Sequence, residues 1–317
     1  MSSLLDMLAS EFVLPEKDLV YLIRSAPYRY KVYEIPKREA GKMRTIAQPA
    51  REIKPLQYWV MQNVLSVYPV HDAAKAYRKG GSILANAFPH VTRSFLLKMD
   101  FKDFFPSIKA VDFKRFVAET PKGRQWSEEE LDYLSRILFW KSDRKGDLRL
   151  SIGAPSSPML SNILLHRFDK EVSSMCATFG VAYTRYADDL SFSTNRYGIL
   201  KKIERNIPEI CTRLEYPRLL VNRKKTIHVS KKGARRITGL ILTNEGNVSI
   251  GHEKKRLIRA QFHRYTQNSL DEKSLKHLAG FVAYVNSVEP LFLKTLADKY
   301  GYDALARLLS MKFEADQ

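Results

Sequence analysis

Residues 183–193 read YTRYADDLSFS, which places Asp188 directly beside Asp189 within a run of Tyr, Thr, Leu, Phe and Ser. Two carboxylates about 4 Å apart repel by roughly 4 kcal/mol at the effective dielectric near a protein surface. In a regular strand, adjacent side chains point to opposite faces, so the pair cannot share a ligand from mid-strand. At the tip of a hairpin with VAYTRYA and LSFST as its arms it can, and Asp is at ease in turns. Such a tip calls for a divalent cation, and hard oxygen ligands suit magnesium. On its own, an Asp-Asp pair reads as no more than a solvated turn, so the rest of the site has to come from elsewhere.

A third acid ends another apolar run. In SFLLKMDFKDFF, at 94–105, Phe95, Leu96, Leu97 and Met99 predict a buried strand that closes on Asp100, with Asp103 three residues further on. Three carboxylates on two neighbouring strands suit two metal ions about 3.5–4 Å apart, the arrangement for in-line phosphoryl transfer.

Composition points to the partner. The 317 residues include 53 Lys and Arg against 34 Asp and Glu, a formal net charge of +19, and 44% are hydrophobic. That content supports packed cores, and the charge favours a polyanion through counterion release and long-range attraction. No apolar run of 18 or more residues suggests a membrane span. MSSLLDMLASEFVLPEKD lacks a basic start and a cleavage site, so secretion is not expected. Cys176 and Cys211 have no metal-binding spacing, which fits a reducing cytoplasm.

The pattern alternates between helix and strand. The first 35 residues read as helix ending in the basic aromatic run APYRYKVYEIPKR, and KPLQYWVMQNVLSVY repeats Leu56, Trp59, Val60 and Val64 at helical spacing. MLSNILLHRFDKEVSSMCATFG predicts one helix stopped by Gly180. Residues 199–214 predict another helix, and RRITGLILT a strand. From His252 the chain turns helical, with Leu257, Ile258, Phe262 and Tyr265 on one face. NEGNVSIG, at 244–251, is rich in turn formers and marks a boundary. The expected fold is α+β, with a catalytic body over 1–244 and a helical domain over 245–317.

These boxes resemble those of reverse transcriptases. YADD at 186–189 resembles their Tyr-x-Asp-Asp box, MDFKDFFPS their first acidic box, GAPSSP at 153–158 their substrate loop, and VNRKKT at 221–226 a later Asn-x-x-Lys-Thr box. All four occur in the family's order. NAFPH at 86–90 and ITG at 237–239 resemble boxes of the bacterial retron reverse transcriptases.

The resemblance implies a right-hand polymerase fold with fingers, an antiparallel palm sheet with helices, and a small helical thumb that binds RNA. It implies an RNA-directed DNA polymerase that takes dNTPs and uses two magnesium ions. Its substrate would be a structured non-coding retron RNA, copied into a branched, RNA-linked single-stranded DNA (msDNA) from a guanosine 2′-hydroxyl. An anti-phage defence role beside an effector protein encoded nearby is implied as well. Asp100, Asp188 and Asp189 match the metal ligands. Phe105 falls at the residue that excludes a ribose 2′-hydroxyl, though a core aromatic would look the same. Arg44, in KMRTIAQP, matches a residue that contacts the incoming triphosphate. Lys225 matches a lysine that protonates departing pyrophosphate, or else belongs to a basic surface. Ile152 departs from the pattern: the family's Leu-Pro-Gln-Gly is Leu150-Ser151-Ile152-Gly153 here, and Ile152 cannot hydrogen-bond a nucleotide as Gln can.

RKKTIHVSKKGARR, from Arg223 to Arg236, carries seven Lys and Arg and no acid. Beside a polymerase palm, such a run suits a nucleic-acid backbone. HEKKRLIRAQFHRY interleaves basic residues with Phe262 and Tyr265, as a thumb that reads an RNA stem by shape would. Two rivals are an intron-like or defence reverse transcriptase without a retron RNA, and a non-catalytic RNA-binding scaffold. The acidic triad argues against the scaffold, because three carboxylates facing solvent would only repel RNA.

Overall fold

The computed structural model describes residues 3–37, 41–121, 126–143 and 145–311. The chain opens with helices α1 (Leu4–Phe12) and α2 (Glu16–Ser25), then strands β1 (Tyr30–Pro36) and β2 (Met43–Pro49) and helix α3 (Ile53–Asn63). Ser3 and Asp6 cap α1 reciprocally, which satisfies two amide donors that the first turn leaves free. The basic aromatic run read as a helix tail is instead β1, antiparallel to β2 with Tyr30 opposite Pro49 and Pro36 opposite Met43. Tyr30, Val32, Tyr33 and Ile35 fit a pleated ribbon better than a helix.

Next come α4 (Ile83–Ala87), β3 (Phe95–Asp100), α5 (Phe104–Ser107), α6 (Ala110–Glu119), α7 (Glu128–Leu138), α8 (Ser156–Leu164) and α9 (His166–Thr178). The single helix expected across the last two is broken at Leu165, whose φ of −86° and ψ of 2° leave the helical region. Gly180, at φ +66°, ends α9 as expected. Then follow β4 (Ala182–Tyr186), β5 (Asp189–Thr194), α10 (Ile199–Arg213) and β6 (Ile227–Ser230). The central sheet runs β4-β5-β3-β6, so the two acid-bearing segments lie on adjacent strands.

The chain ends in β7 (Arg236–Ile237), β8 (Leu240–Leu242), β9 (Val248–Ser249), α11 (His252–Thr266), α12 (Glu272–Val288), α13 (Pro290–Tyr300) and α14 (Tyr302–Ser310). RRITGLILT is thus a hairpin rather than one strand, because Thr238 and Gly239 both take positive φ.

Two compact units result. One comprises residues 1–81, 97–192 and 197–227; the other comprises 82–96, 193–196 and 228–317. Residues 244–251 hold the β8–β9 turn and lie inside the second unit. That unit's core joins Ala87, Val91 and Leu96 to Ile237 and Leu240 and to Ile258, Phe262 and Leu293 of the helices. Phe262 is fully buried, which contributes about 2–3 kcal/mol through removed apolar surface. Leu257, expected on the same face, is exposed. Cys176 and Cys211 are buried free thiols. Among the described residues, no helix is long and apolar enough to cross a membrane.

Candidate active site

The β4–β5 hairpin turns at Ala187 and Asp188, with Ala187 in the left-handed region at φ 57°. Asp188 therefore lies in the turn and Asp189 opens β5, which puts the pair at the tip of the hairpin. β3 delivers Asp100 to the same place. Phe101 N donates to Asp188 O at 3.2 Å, and Asn222 N donates to Asp100 O at 2.7 Å. Backbone bonds on both sides thus fix Asp100 between the acidic turn and the VNRKKT segment. A short 3₁₀ turn, Arg223–Lys225, brings Lys225 Nζ to 3.1 Å from both Asp100 carboxylate oxygens.

The electrostatics are those of crowded carboxylates. Burial, then Asp189 and Asp100, push the Asp188 carboxyl up to about 6. Burial also raises Asp189, with Asp100 adding to it and Lys98 and Lys225 opposing it. Lys98 was not singled out from the sequence. Its signal was strand period: two residues before Asp100, it shares that acid's face.

Asp188 and Asp189, whose charge burial and neighbouring Asp100 disfavour, offer hard oxygen donors that fit a divalent cation. Among the described residues, no group of three or more His, Cys, Asp or Glu forms a ready-made cage, and Asp100 is engaged by Lys225. Asp100 would have to give up this ammonium to hold a cation. Asp103 is exposed, at φ 47°, at the start of α5.

A cleft of about 320 Å³ is lined by, among others, Lys54, Tyr58, Tyr77, Phe105, Ile152 and Gly153. Phe105 and Ile152 both line this cleft. Phe105 is half-buried, its ring 5.2 Å from that of Phe104. Ile152 is held by its main chain, whose carbonyl accepts from Ala47 N at 2.9 Å. Gly153, at φ +124°, allows this approach: a Cβ there would lie 3.0 Å from Ala47 O. Arg44 is exposed on β2, paired across the ribbon with Ile35.

Tyr77 was missed entirely. Its φ of 57° is strained for a bulky residue, and its ring lies 6.5 Å from that of Tyr186. Burial and then Asp188 raise its phenol, while Arg44 opposes them. Among the seven basic residues from Arg223 to Arg236, Arg235 is not surface. Its guanidinium is buried and donates to the carbonyl oxygens of Val91, Arg93, Leu242 and Thr243.

The reverse transcriptase (RNA-dependent DNA polymerase) family matches residues 35–242. The retron Ec83 reverse transcriptase of Escherichia coli is 36% identical over 289 residues, covering 90% of this chain and 91% of that protein. The chain belongs to the retron reverse transcriptases. The retron Ec86 enzyme of Escherichia coli is 33% identical, over 90% of this chain and 86% of its own. A telomerase from Candida albicans, solved with a telomeric RNA fragment, is 14% identical over 97% of this chain and 65% of its own, at a TM-score of 0.49. By that family membership this reverse transcriptase is an RNA-directed DNA polymerase, and its mixed helices and strands make it α+β.

Proposed function

We propose that this reverse transcriptase copies part of a structured retron RNA into msDNA, starting from a guanosine 2′-hydroxyl, with Asp100, Asp188 and Asp189 holding two magnesium ions. The observation that carries the reading is the meeting of these three acids beside a cleft lined by Phe105 and Ile152. Bound there, magnesium supplies a lowered pKa for the attacking hydroxyl and charge stabilisation for the departing pyrophosphate. Lys225 releases Asp100 on metal binding and offers its Nζ proton to pyrophosphate. Phe105 occupies the space a ribose 2′-hydroxyl would need, and Arg44 meets the triphosphate from the β1–β2 ribbon.

In this reading fingers and palm span 1–244 and the helical thumb 245–317, with 82–96, 193–196 and 228–244 packed into the thumb's compact unit. Exposed Lys and Arg from Arg223 onward, without Arg235, follow the RNA backbone, and α11 contributes its basic face. A cytoplasmic enzyme acting in anti-phage defence beside an effector protein follows from the family resemblance. The test is expression with the upstream RNA locus. Cells should contain a short DNA joined covalently to RNA, its mobility shifted by a 2′,5′-debranching enzyme and absent with Asp188→Asn. DNA free of RNA would overturn the branched product.

A further inference from the structure

Segments of α8, α9, β4 and the chain before α4 converge on one guanidinium. Arg185 is fully buried and donates to Asp169 from Nε at 2.9 Å and Nη2 at 2.6 Å. The Tyr183 hydroxyl donates to the same carboxylate at 2.8 Å. Arg185 Nη1 then reaches two further acceptors, Asn162 Oδ1 at 3.0 Å and Ala187 O at 3.1 Å. Asn162 completes the chain by donating Nδ2 to Ala76 O at 2.8 Å. The amide orientation is forced, because a guanidinium only donates and a carbonyl only accepts.

The two carbonyls held in this way flank left-handed residues. Ala187 and Tyr77 both have φ 57°, and each is opposed by its own Cβ. Ala187 precedes Asp188, and Tyr77 lines the cleft with Phe105 and Ile152. A buried ion pair is a poor device for stability alone, since packed apolar residues serve as well. Apolar residues could not hold two carbonyls.

We propose that Asn162, with Arg185 locked on Asp169, is a positioning residue for nucleotide addition, tying the turn that presents Asp188 to the turn that presents Tyr77 to the nucleotide cleft. The proposal rests on the polymerase reading of that cleft. Strained turns held by an outside clasp are a known means of fixing functional groups. Without the Asn162 bridge, the Ala76 carbonyl loses its donor and Arg185 Nη1 loses one of its two acceptors, so the peptide before Tyr77 is free to relax and the Ala187 carbonyl is held by a guanidinium no longer braced from α8.

The test is primer extension by the full chain on an RNA template with an annealed DNA primer, reading kcat and the dNTP KM separately. Asn162→Ala should lower kcat at least tenfold and raise KM severalfold. Ile137→Val, a core control in α7, should lower Tm without moving either constant. Glycine accepts φ 57° freely, so with Ala187→Gly already present, adding Asn162→Ala should cost kcat no more than threefold. Should Asn162→Ala fail to fold, Asn162→Asp keeps an acceptor for Arg185 and turns an oxygen that cannot donate onto Ala76 O. It should raise dNTP KM at least fivefold with kcat within threefold of wild type. Additive losses in the cycle, or an Asn162→Asp enzyme with unchanged KM, overturn the clasp while leaving an active wild type as the polymerase. A wild type without synthesis overturns both.

Discussion

Lys225 Nζ lies 3.1 Å from each carboxylate oxygen of Asp100, so one lysine occupies the edge between the two oxygens that a bidentate metal would use. The lysine side chain is 55% exposed, which leaves it free to swing away. Two consequences of opposite sign follow. Lys225→Ala removes a competitor for Asp100, so half-saturating magnesium should fall. It also removes the proton donor proposed for pyrophosphate, so kcat should fall about a hundredfold, within the usual range for a general acid. Magnesium titrations of primer extension check both. A raised magnesium requirement with unchanged kcat contradicts this role.

Asp188→Asn should abolish DNA synthesis while leaving RNA binding intact. The same change removes a charge that burial and two neighbouring acids disfavour. In EDTA at pH 7, the variant's Tm should therefore equal or exceed that of wild type. A large drop in Tm would mean that Asp188 serves the fold.

Phe105→Ala should raise ribonucleotide use relative to deoxyribonucleotide at least tenfold, measured as the ratio of the two kcat/KM values. Ile152→Gln should move dNTP KM only a few-fold, because the loop is held through the Ile152 carbonyl on Ala47 N. An unchanged sugar ratio would make Phe105 a core ring.

His90 gives the pH dependence of stability. It is fully buried, 2.6 Å from Ser193 Oγ, and burial lowers it from 6.5 to about 3, with Arg93 adding to the shift. The unfolded chain takes up this proton below pH 6.5 and the folded one does not, so stability is lost as pH falls from 6.5 toward 3. At pH 5 the loss is about 2 kcal/mol. His90→Gln should flatten that part of the urea-midpoint profile. Parallel profiles for the two proteins would contradict the assignment.

The sequence disclosed the acidic centre because adjacent carboxylates have few places to go: period two forbids mid-strand sharing and leaves the hairpin tip. Asp100 was legible for a related reason, as the first acid after a buried run. Other features carried no local signal. Arg235 sits in a basic run and reads as surface, yet its guanidinium closes on carbonyls as distant in sequence as Val91. Residues 82–96 join the C-terminal unit through contacts far along the chain. Leu165 interrupts a continuous helical pattern, and Thr238 takes a left-handed turn that glycine would be expected to fill. Tyr77 became visible only through its backbone and its neighbours.

At issue is whether the acids at Asp100, Asp188 and Asp189 extend a 2′-hydroxyl within the enzyme's own RNA. The most direct measurement is a reconstituted reaction with purified protein, dNTPs and magnesium, using the cognate RNA with either guanosine or 2′-deoxyguanosine at the branch position. RNA-linked DNA is expected from the first and none from the second. Equal synthesis from the 2′-deoxy RNA, started at an ordinary 3′ end, would contradict it.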